Sequence, residues 1–422
     1  MAVRHPLLLA SALIFAWSVR SNADWALLST GGRGLFSSSP TSVYAKTPGL
    51  QAGPPSLVVV RLVNLLPGSA GEWMAHILLA FLGWYLIYLV ERWTVAGSTW
   101  RQAPLRAGLT TLVVGLLVLE QWAWLAGETP HVEDGLAILT FVLALRALVD
   151  RRELAAALLV GLTVAWKPWA VAALPLLWGC SHKAKALLIG VAIPAACWLP
   201  FFIGNHGTFS TVGYAFALRT DSPLRVLGLS GGVIPDWWRT VELVGVLVGA
   251  ALAARRDWRV AFAAGCALRL LLDPASFRYY YGGLIMVVFL TERLVGAKPW
   301  RTAGLFVTAV YIPHLIAVPG ATYFQITGLA AVFLSWAQPW RRAGGAHGIA
   351  DARATAAPEL VPVPREGEPE SQPASSPRAH PEQRPTIERN GPIRRAAPSL
   401  DLEKGTELTM SGPEVGSSKE PR

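Results

Sequence analysis

The sequence is short of charged side chains. They make up 15% of its 422 residues, whereas soluble domains carry about 25%. Hydrophobic residues reach 53% and the mean hydropathy is +0.40, which excludes an ordinary soluble domain. Cysteine is also scarce: Cys180, Cys197 and Cys266 all lie in or beside apolar runs, so neither a disulfide framework nor a cysteine metal site is indicated.

Alternation of apolar and polar residues, the mark of a membrane barrel, is also lacking. The apolar residues form continuous runs instead, at 109–119, 135–145, 154–166, 187–203 and 283–290. Many of the eighteen tryptophans stand beside the polar breaks, where amphipathic rings favour the lipid headgroup level. The pattern predicts an all-α polytopic integral membrane protein with about ten to twelve membrane-crossing or membrane-embedded helices.

Basic residues explain the net charge of +10 as a signal of topology. They fall at alternate breaks between the apolar runs: 92–106, 151–152, 182–185, 255–259, 293–301 and 341–342. With the N-terminus inside, the positive-inside rule puts all of these breaks in the cytoplasm. The sequence therefore predicts a multi-pass protein of the cell membrane and argues against nucleic-acid binding.

The first apolar run, residues 6–19, has two interpretations. A basic start, a short apolar core and small residues at 21–23 are typical of a cleaved signal peptide. The same run also fits an uncleaved first helix, slightly short for a full span. The uncleaved helix is preferred for a catalytic reason given below.

The chain divides into a membrane domain, residues 1–340, and a tail, residues 341–422. The tail is rich in Pro, Glu, Arg, Ser and Ala and nearly devoid of aromatics. Such a composition cannot bury enough apolar area to offset its conformational entropy, which predicts disorder. An even number of crossings places the tail in the cytoplasm. Any partner of the tail is therefore expected to be a cytoplasmic molecule.

Polar side chains on the opposite, outer side are the candidates for function, because that side is otherwise poor in Lys and Arg. Structural roles compete: Asp24 suits a helix N-cap, the acids at 133–134 suit the start of a helix dipole, and the tyrosines at 279–281 suit interface anchoring. The candidates are Asp24, His131, Glu133, Asp134, Lys167, Asp273, Arg278, Tyr280 and His314.

Lys167 stands at a hinge between two short apolar runs. The first, residues 154–166, would be only about 20 Å long as a helix, against a hydrocarbon core of about 30 Å. If both runs lead back to the cytoplasm, Lys167 is the tip of a hairpin at membrane depth, where lysine is costly unless it faces protein, a cavity or an anion. A single kinked span of residues 154–180 is the alternative, and it would invert every later loop.

Four segments, in order, resemble one group of enzymes. They are Asp24-Trp25 with Tyr44 and residues 47–55 (TPGLQAGPP), then 131–137 (HVEDGLA), 161–169 (GLTVAWKPW) and 272–280 (LDPASFRYY). Together they are similar to the GT-C glycosyltransferases, in particular to the actinobacterial polyprenyl-phosphate-mannose-dependent α-mannosyltransferases of glycosyltransferase family 87. The similarity spans about residues 7–340.

The resemblance implies a GT-C-like bundle with a large first outer loop and a sugar transfer at the outer membrane face. The donor would be a polyprenyl-phosphate hexose, mannose above all, and the acceptor a hydroxyl of a glycolipid or lipoglycan. Asp24 would be the general base, which favours an uncleaved first helix, because cleavage after Ala23 would leave it at a free N-terminus.

The other roles follow the same chemistry. Lys167 and Arg278 are the cations for the leaving phosphate, and the remaining expected substrate contacts are His131, Glu133, Asp134 and Tyr280. Neither a metal nor another cofactor is expected, since a monophosphate donor does not require one. The alternatives are a transporter or flippase for a lipid-linked intermediate and a non-catalytic scaffold that recruits partners through the tail.

Overall fold

The computed structural model describes residues 3–21, 24–97, 104–214, 217–229, 234–235, 237–275, 277–316 and 320–337. The predicted disordered tail lies outside these residues. Throughout the described parts of the chain the secondary structure is helical and no strand occurs. The predicted all-α class is therefore confirmed.

Seventeen α-helices follow one another along these residues. The first six are α1 (Arg4–Ser18), α2 (Trp25–Leu35), α3 (Val43–Lys46), α4 (Pro54–Val63), α5 (Ala70–Gly97) and α6 (Pro104–Ala123). The next six are α7 (Val132–Val149), α8 (Glu153–Trp166), α9 (Lys183–Gly204), α10 (Phe209–Gly213), α11 (Pro223–Val226) and α12 (Trp238–Ala254). The last five are α13 (Ala261–Leu272), α14 (Arg278–Leu294), α15 (Trp300–Phe306), α16 (Ile312–Leu315) and α17 (Gly320–Ala337).

Three other helical segments matter for the site. A 3₁₀-helix, Pro168–Gly179, follows α8, and π-helical turns follow α6 at Trp124–Glu128 and α15 at Val307–Tyr311. π-helical turns occur frequently at functional sites, and both of these border the cavity described below.

Among the described residues, three helices are long and apolar enough to cross a membrane: Ala70–Thr94, Gly108–Glu128 and Lys183–Gly204. The last has only 17% of its apolar window buried, so most of its apolar surface faces outward. Other predicted spans form helices that are shorter than a full crossing. Helix α8, for example, has 14 residues, or about 21 Å. Length and composition thus identify three candidate spans.

Helix α1 is built into the bundle. Leu8, Ala12 and Ala16 are buried in the common core, and the Ser21 amide donates to the Gly127 carbonyl oxygen over 2.9 Å. Its first turn is held by the buried carboxylate of Glu91, which accepts from Arg4 and lies 2.9 Å from His5 Nε2. These contacts tie α1 to the rest of the bundle, and its retention as an uncleaved helix stays a prediction.

The hinge at Lys167 separates two arms that pack against each other. Helix α8 ends at Trp166, Lys167 is extended (φ −148°, ψ 121°), and the 12-residue 3₁₀-helix begins at Pro168. Both arms also pack on α9. This side-by-side packing fits the predicted hairpin and does not fit a single kinked span, although the sidedness of its tip stays a prediction.

Gly53 connects the segment before α4 to the hairpin tip. Its amide donates to the Trp166 carbonyl oxygen over 2.8 Å, and a Cβ placed on it would lie well under 3.0 Å from the Ala165 carbonyl oxygen. Only glycine allows this close backbone approach. The contact joins the polypeptide that follows Asp24 and α2 to the segment that carries Lys167.

Candidate active site

Asp24 occupies the N-cap position of α2 but does not cap it. Its side chain makes no hydrogen bond to the helix, so the interpretation of Asp24 as a capping residue is wrong. The carboxylate points to α7 instead, with Oδ2 at 3.3 Å from His131 Nε2, and 37% of the side chain remains exposed. Asp24 is thus a reachable carboxylate that a neighbouring histidine orients.

His131, the residue before α7, links Asp24 to the acidic start of that helix. Its Nδ1 lies 2.6 Å from Glu133 Oε1, and its ring stacks on Tyr279 with centroids 4.3 Å apart. The imidazole is buried. Two carboxylates and one aromatic ring therefore fix both the position and the orientation of the imidazole.

Lys167 lies against the same acids. Its ammonium donates to Glu133 Oε1 over 2.7 Å and to Asp134 Oδ2 over 3.4 Å, and all three side chains are buried. Asp134 also accepts from Trp169 Nε1 over 3.1 Å. The lysine predicted at the hairpin tip therefore faces protein, which removes the cost of placing it there.

The acids and the histidine form a possible metal site by distance alone. His131, Glu133 and Asp134 offer ligand atoms that lie within 4.8 Å of one another, although the sequence showed no ligand spacing. However, the Lys167 ammonium already contacts both carboxylates, and its positive charge would repel a metal ion bound by them. We therefore assign this cluster as a buried ion network.

The network shifts the pKa values of Asp24 and His131 in opposite directions. The polar contact with the His131 imidazole holds the pKa of Asp24 below its usual value, so that Asp24 is ionised at neutral pH. Burial by itself would lower the pKa of His131, but Glu133 and Asp24 outweigh it and raise that pKa to about 9. His131 is therefore a cation at neutral pH.

This raised pKa predicts a loss of stability in mild base. A histidine whose pKa rises on folding stabilises the protein fully below its unfolded pKa, and the contribution is lost as the pH passes through the folded value. The free energy of unfolding should fall by about 3 kcal/mol at most between pH 6.5 and 9.5. Thermal unfolding in detergent, followed by tryptophan fluorescence at several pH values, measures this.

His131→Gln should flatten the dependence in that window, whereas His182→Gln should not, because the His182 side chain is 82% exposed. An equal slope in the wild type and in His131→Gln would show that His131 is not charged in the folded protein.

A cavity of about 670 Å³ opens beside Asp24. Its volume lies within the range of about 300–1,000 Å³ usual for ligand pockets. Its wall is formed by the residue before α2, by α6, by the two π-helical turns, by the segment after α10, and by α14, α16 and α17. Its lining includes Asp24, Glu128, Arg219, Arg278, Tyr279, His314 and Gln325.

Arg278 is a cation of this cavity. It lies in the first turn of α14, its guanidinium sits 3.8 Å from the centroid of the Trp124 ring, and it contacts His314 Nε2. Since an arginine side chain can only donate, His314 Nε2 is the acceptor in this contact. The predicted anion-binding residue Arg278 thus faces open volume, whereas Lys167 is absent from the lining.

Tyr280 and Asp273 belong to a second buried cluster behind the cavity. Asp273 accepts from Arg269 over 3.0 Å, and the Arg269 guanidinium lies 4.4 Å from the Tyr280 ring centroid. Arg239 and Glu242 of α12 complete the cluster. Tyr280 was predicted to contact substrate, but the lining of the large cavity contains its neighbours Tyr279 and Tyr281 instead.

Sequence reasoning missed several residues of the cavity wall. Glu128 ends the π-helical turn after α6, and Arg219 and Asp221 pair with each other at 3.1 Å in the segment after α10. The only available signals were their predicted position on the outer side and, for Glu128, a place at the end of an apolar run. Neither signal distinguishes a residue that lines a cavity from one in solvent.

Comparison with known proteins identifies no relative. No protein-family model matches the sequence, no curated protein matches it, and no solved structure matches the fold.

Proposed function

We propose that this protein is a membrane glycosyltransferase of the GT-C type. It moves a hexose, mannose in the first instance, from a polyprenyl-phosphate donor to a hydroxyl of a cell-envelope glycolipid or lipoglycan. The observation that carries the proposal is the position of Asp24. This carboxylate makes no hydrogen bond to its own helix, is oriented by His131, and faces a cavity that Arg278 also lines.

The transfer needs one proton acceptor and one site for negative charge. Asp24 takes the proton of the acceptor hydroxyl while the oxygen of that hydroxyl attacks the anomeric carbon of the sugar. The bond from that carbon to the phosphate oxygen breaks, and polyprenyl monophosphate leaves with the electron pair. Arg278, with Arg219 on the same cavity wall, stabilises the charge that gathers on the phosphate.

In the proposed membrane arrangement, residues 1–340 form a GT-C-like bundle of about ten to twelve membrane-crossing or membrane-embedded helices. The cavity opens to the extracytoplasmic face, and the tail, residues 341–422, lies in the cytoplasm. The three helices of spanning length support the membrane location. The basic breaks between apolar runs support the sidedness.

The donor-phosphate role of Arg278 is tested by Arg278→Met in a transfer assay with purified polyprenyl-phosphate-mannose and a membrane glycolipid extract. Loss of a charge-assisted hydrogen bond costs about 1.5–3 kcal/mol, which is a rise of about 10- to 150-fold in the donor KM. Arg33→Met is the matched control, because Arg33 is exposed in α2 and lies away from the cavity. An unchanged donor KM in Arg278→Met would remove this arginine from phosphate binding.

The sidedness is tested by labelling single cysteines in a variant that lacks Cys180, Cys197 and Cys266. A cysteine at position 37, where an exposed serine lies in the predicted first outer loop, should react with an impermeant maleimide added from outside. A cysteine at 183 should react only after the membrane is opened, because the basic segment 182–185 is expected in the cytoplasm. Labelling of position 183 from outside would overturn the hairpin arrangement.

A further inference from the structure

We propose that Lys167 is a positioning residue that acts on Asp24 through Glu133 and His131, rather than a contact of the donor phosphate. The inference rests on the proposed function, since it assumes that Asp24 is the base. The resemblance to the GT-C glycosyltransferases implied that Lys167 binds the leaving phosphate, and it implied no positioning role for this lysine.

The geometry is a continuous series of three polar contacts. Lys167 Nζ lies 2.7 Å from Glu133 Oε1, and the same oxygen lies 2.6 Å from His131 Nδ1. The other nitrogen of the imidazole, Nε2, lies 3.3 Å from Asp24 Oδ2. A single carboxylate oxygen thus joins the lysine to the histidine that faces the base.

Because Lys167 and His131 share that oxygen, the lysine helps to determine the orientation of the histidine ring. The ring orientation of a histidine is set by the partner of its second nitrogen, and here the partner is Glu133, 1% exposed. A buried carboxylate holds its position only while it is paired, and Lys167 is its cationic partner besides His131. Removing the ammonium leaves Glu133 paired with His131 alone, so that neither the carboxylate nor the imidazole that faces Asp24 is held any longer from the side of Lys167.

Lys167 is also badly placed for the phosphate itself. Its side chain is 7% exposed and lies between two acids, outside the lining of the cavity. An anion that approached it would meet Glu133 and Asp134 first. Arg278, by contrast, faces the cavity.

Other ionisable groups face Asp24 and His131, and they complete the electrostatic surroundings of the base. Glu128 faces the cavity beside Asp24, and the Tyr279 ring covers one side of the imidazole. Asp134 lies 3.8 Å from His131 Nδ1. None of these three residues is altered in the variants below.

The test compares Lys167→Met with Arg278→Met in the same transfer assay. A base displaced by about 1 Å costs up to about a hundredfold in rate, so Lys167→Met should lower kcat by about 10- to 100-fold and leave the donor KM within about twofold. The acidic limb of kcat/KM should move to higher pH, since Asp24 loses the partner that holds its pKa low. Lys185→Met, at an exposed lysine of α9, is the matched control.

Glu133→Gln provides the second variant, because it breaks the same series of contacts with little change in size. It should reproduce the kinetic pattern of Lys167→Met, and the double variant should lose no more than the worse single one. Lys167→Arg keeps the charge and should restore most of kcat, which decides the question if Lys167→Met does not fold.

A raised donor KM with normal kcat in Lys167→Met, or losses that multiply in the double variant, would overturn the positioning role. Failure of the proposed function looks different: Asp24→Asn would then transfer sugar normally, or the wild type would not use the polyprenyl-phosphate donor.

Discussion

Replacing Asp24 with asparagine should lower the turnover number for sugar transfer by at least about a hundredfold, because a positioned base contributes roughly 10²- to 10⁴-fold. An amide cannot take the proton of the acceptor hydroxyl. Folding should be nearly unaffected, since the side chain caps no helix and is 37% exposed. The measurement is initial-rate transfer from polyprenyl-phosphate-mannose, with the amount of folded protein checked by size-exclusion chromatography.

Asp150→Asn is the matched control. Asp150 follows the last residue of α7 and pairs with Arg146 at 2.9 Å, at the opposite end of the helix from the site. Its replacement should leave transfer within about twofold of the wild type. If Asp24→Asn transfers sugar at a near-normal rate, Asp24 is not the base, and a transporter or a membrane scaffold becomes the better description of the protein.

Gly53→Ala should be the most destabilising single methyl addition near the site. Its Cβ would overlap the Ala165 carbonyl oxygen, and two backbones must separate to relieve the overlap. Breaking the hydrogen bond to the Trp166 carbonyl and moving the hairpin tip should together cost about 3 kcal/mol or more, as for other strained core changes. Thermal unfolding in detergent measures the loss.

Gly49→Ala controls for the change of residue type within the same outer segment. A Cβ at Gly49 would meet the Tyr214 ring at 3.5 Å, which is ordinary contact, so this variant should melt close to the wild type. A Gly53→Ala protein as stable as Gly49→Ala would mean that the hairpin tip and the segment before α4 are not packed against each other.

The positions of the main helices along the chain were predictable, because long apolar runs separated by basic breaks allow few other assignments. The apolar run at 135–145 lies within α7, Val132–Val149, and the Lys167-Pro168 pair correctly located the end of α8. The type of the second hairpin arm was not predictable. Its 3₁₀ geometry, which contains Pro175, depends on packing against neighbouring helices rather than on its apolar composition.

The members of the site were easier to predict than their contacts. Position along the chain placed Asp24, His131 and Lys167 on one face, and the structure brings them together through Glu133. Which carboxylate pairs with which cation depends on distances of a few tenths of an ångström, and sequence spacing does not carry that information. Glu128 was missed for a related reason, since the π-helical turn that carries it has no sequence pattern of its own.

The buried anchoring of α1 has a consequence for how the chain is made. Glu91, which holds the first turn of α1, is synthesised 87 residues after Arg4, and Gly127, which receives the Ser21 amide, comes later still. Helix α1 therefore leaves the ribosome long before the partners that bury Leu8, Ala12 and Ala16. During that interval the inner face of α1 lacks these partners, so the final docking of α1 must follow the synthesis of α5 and α6.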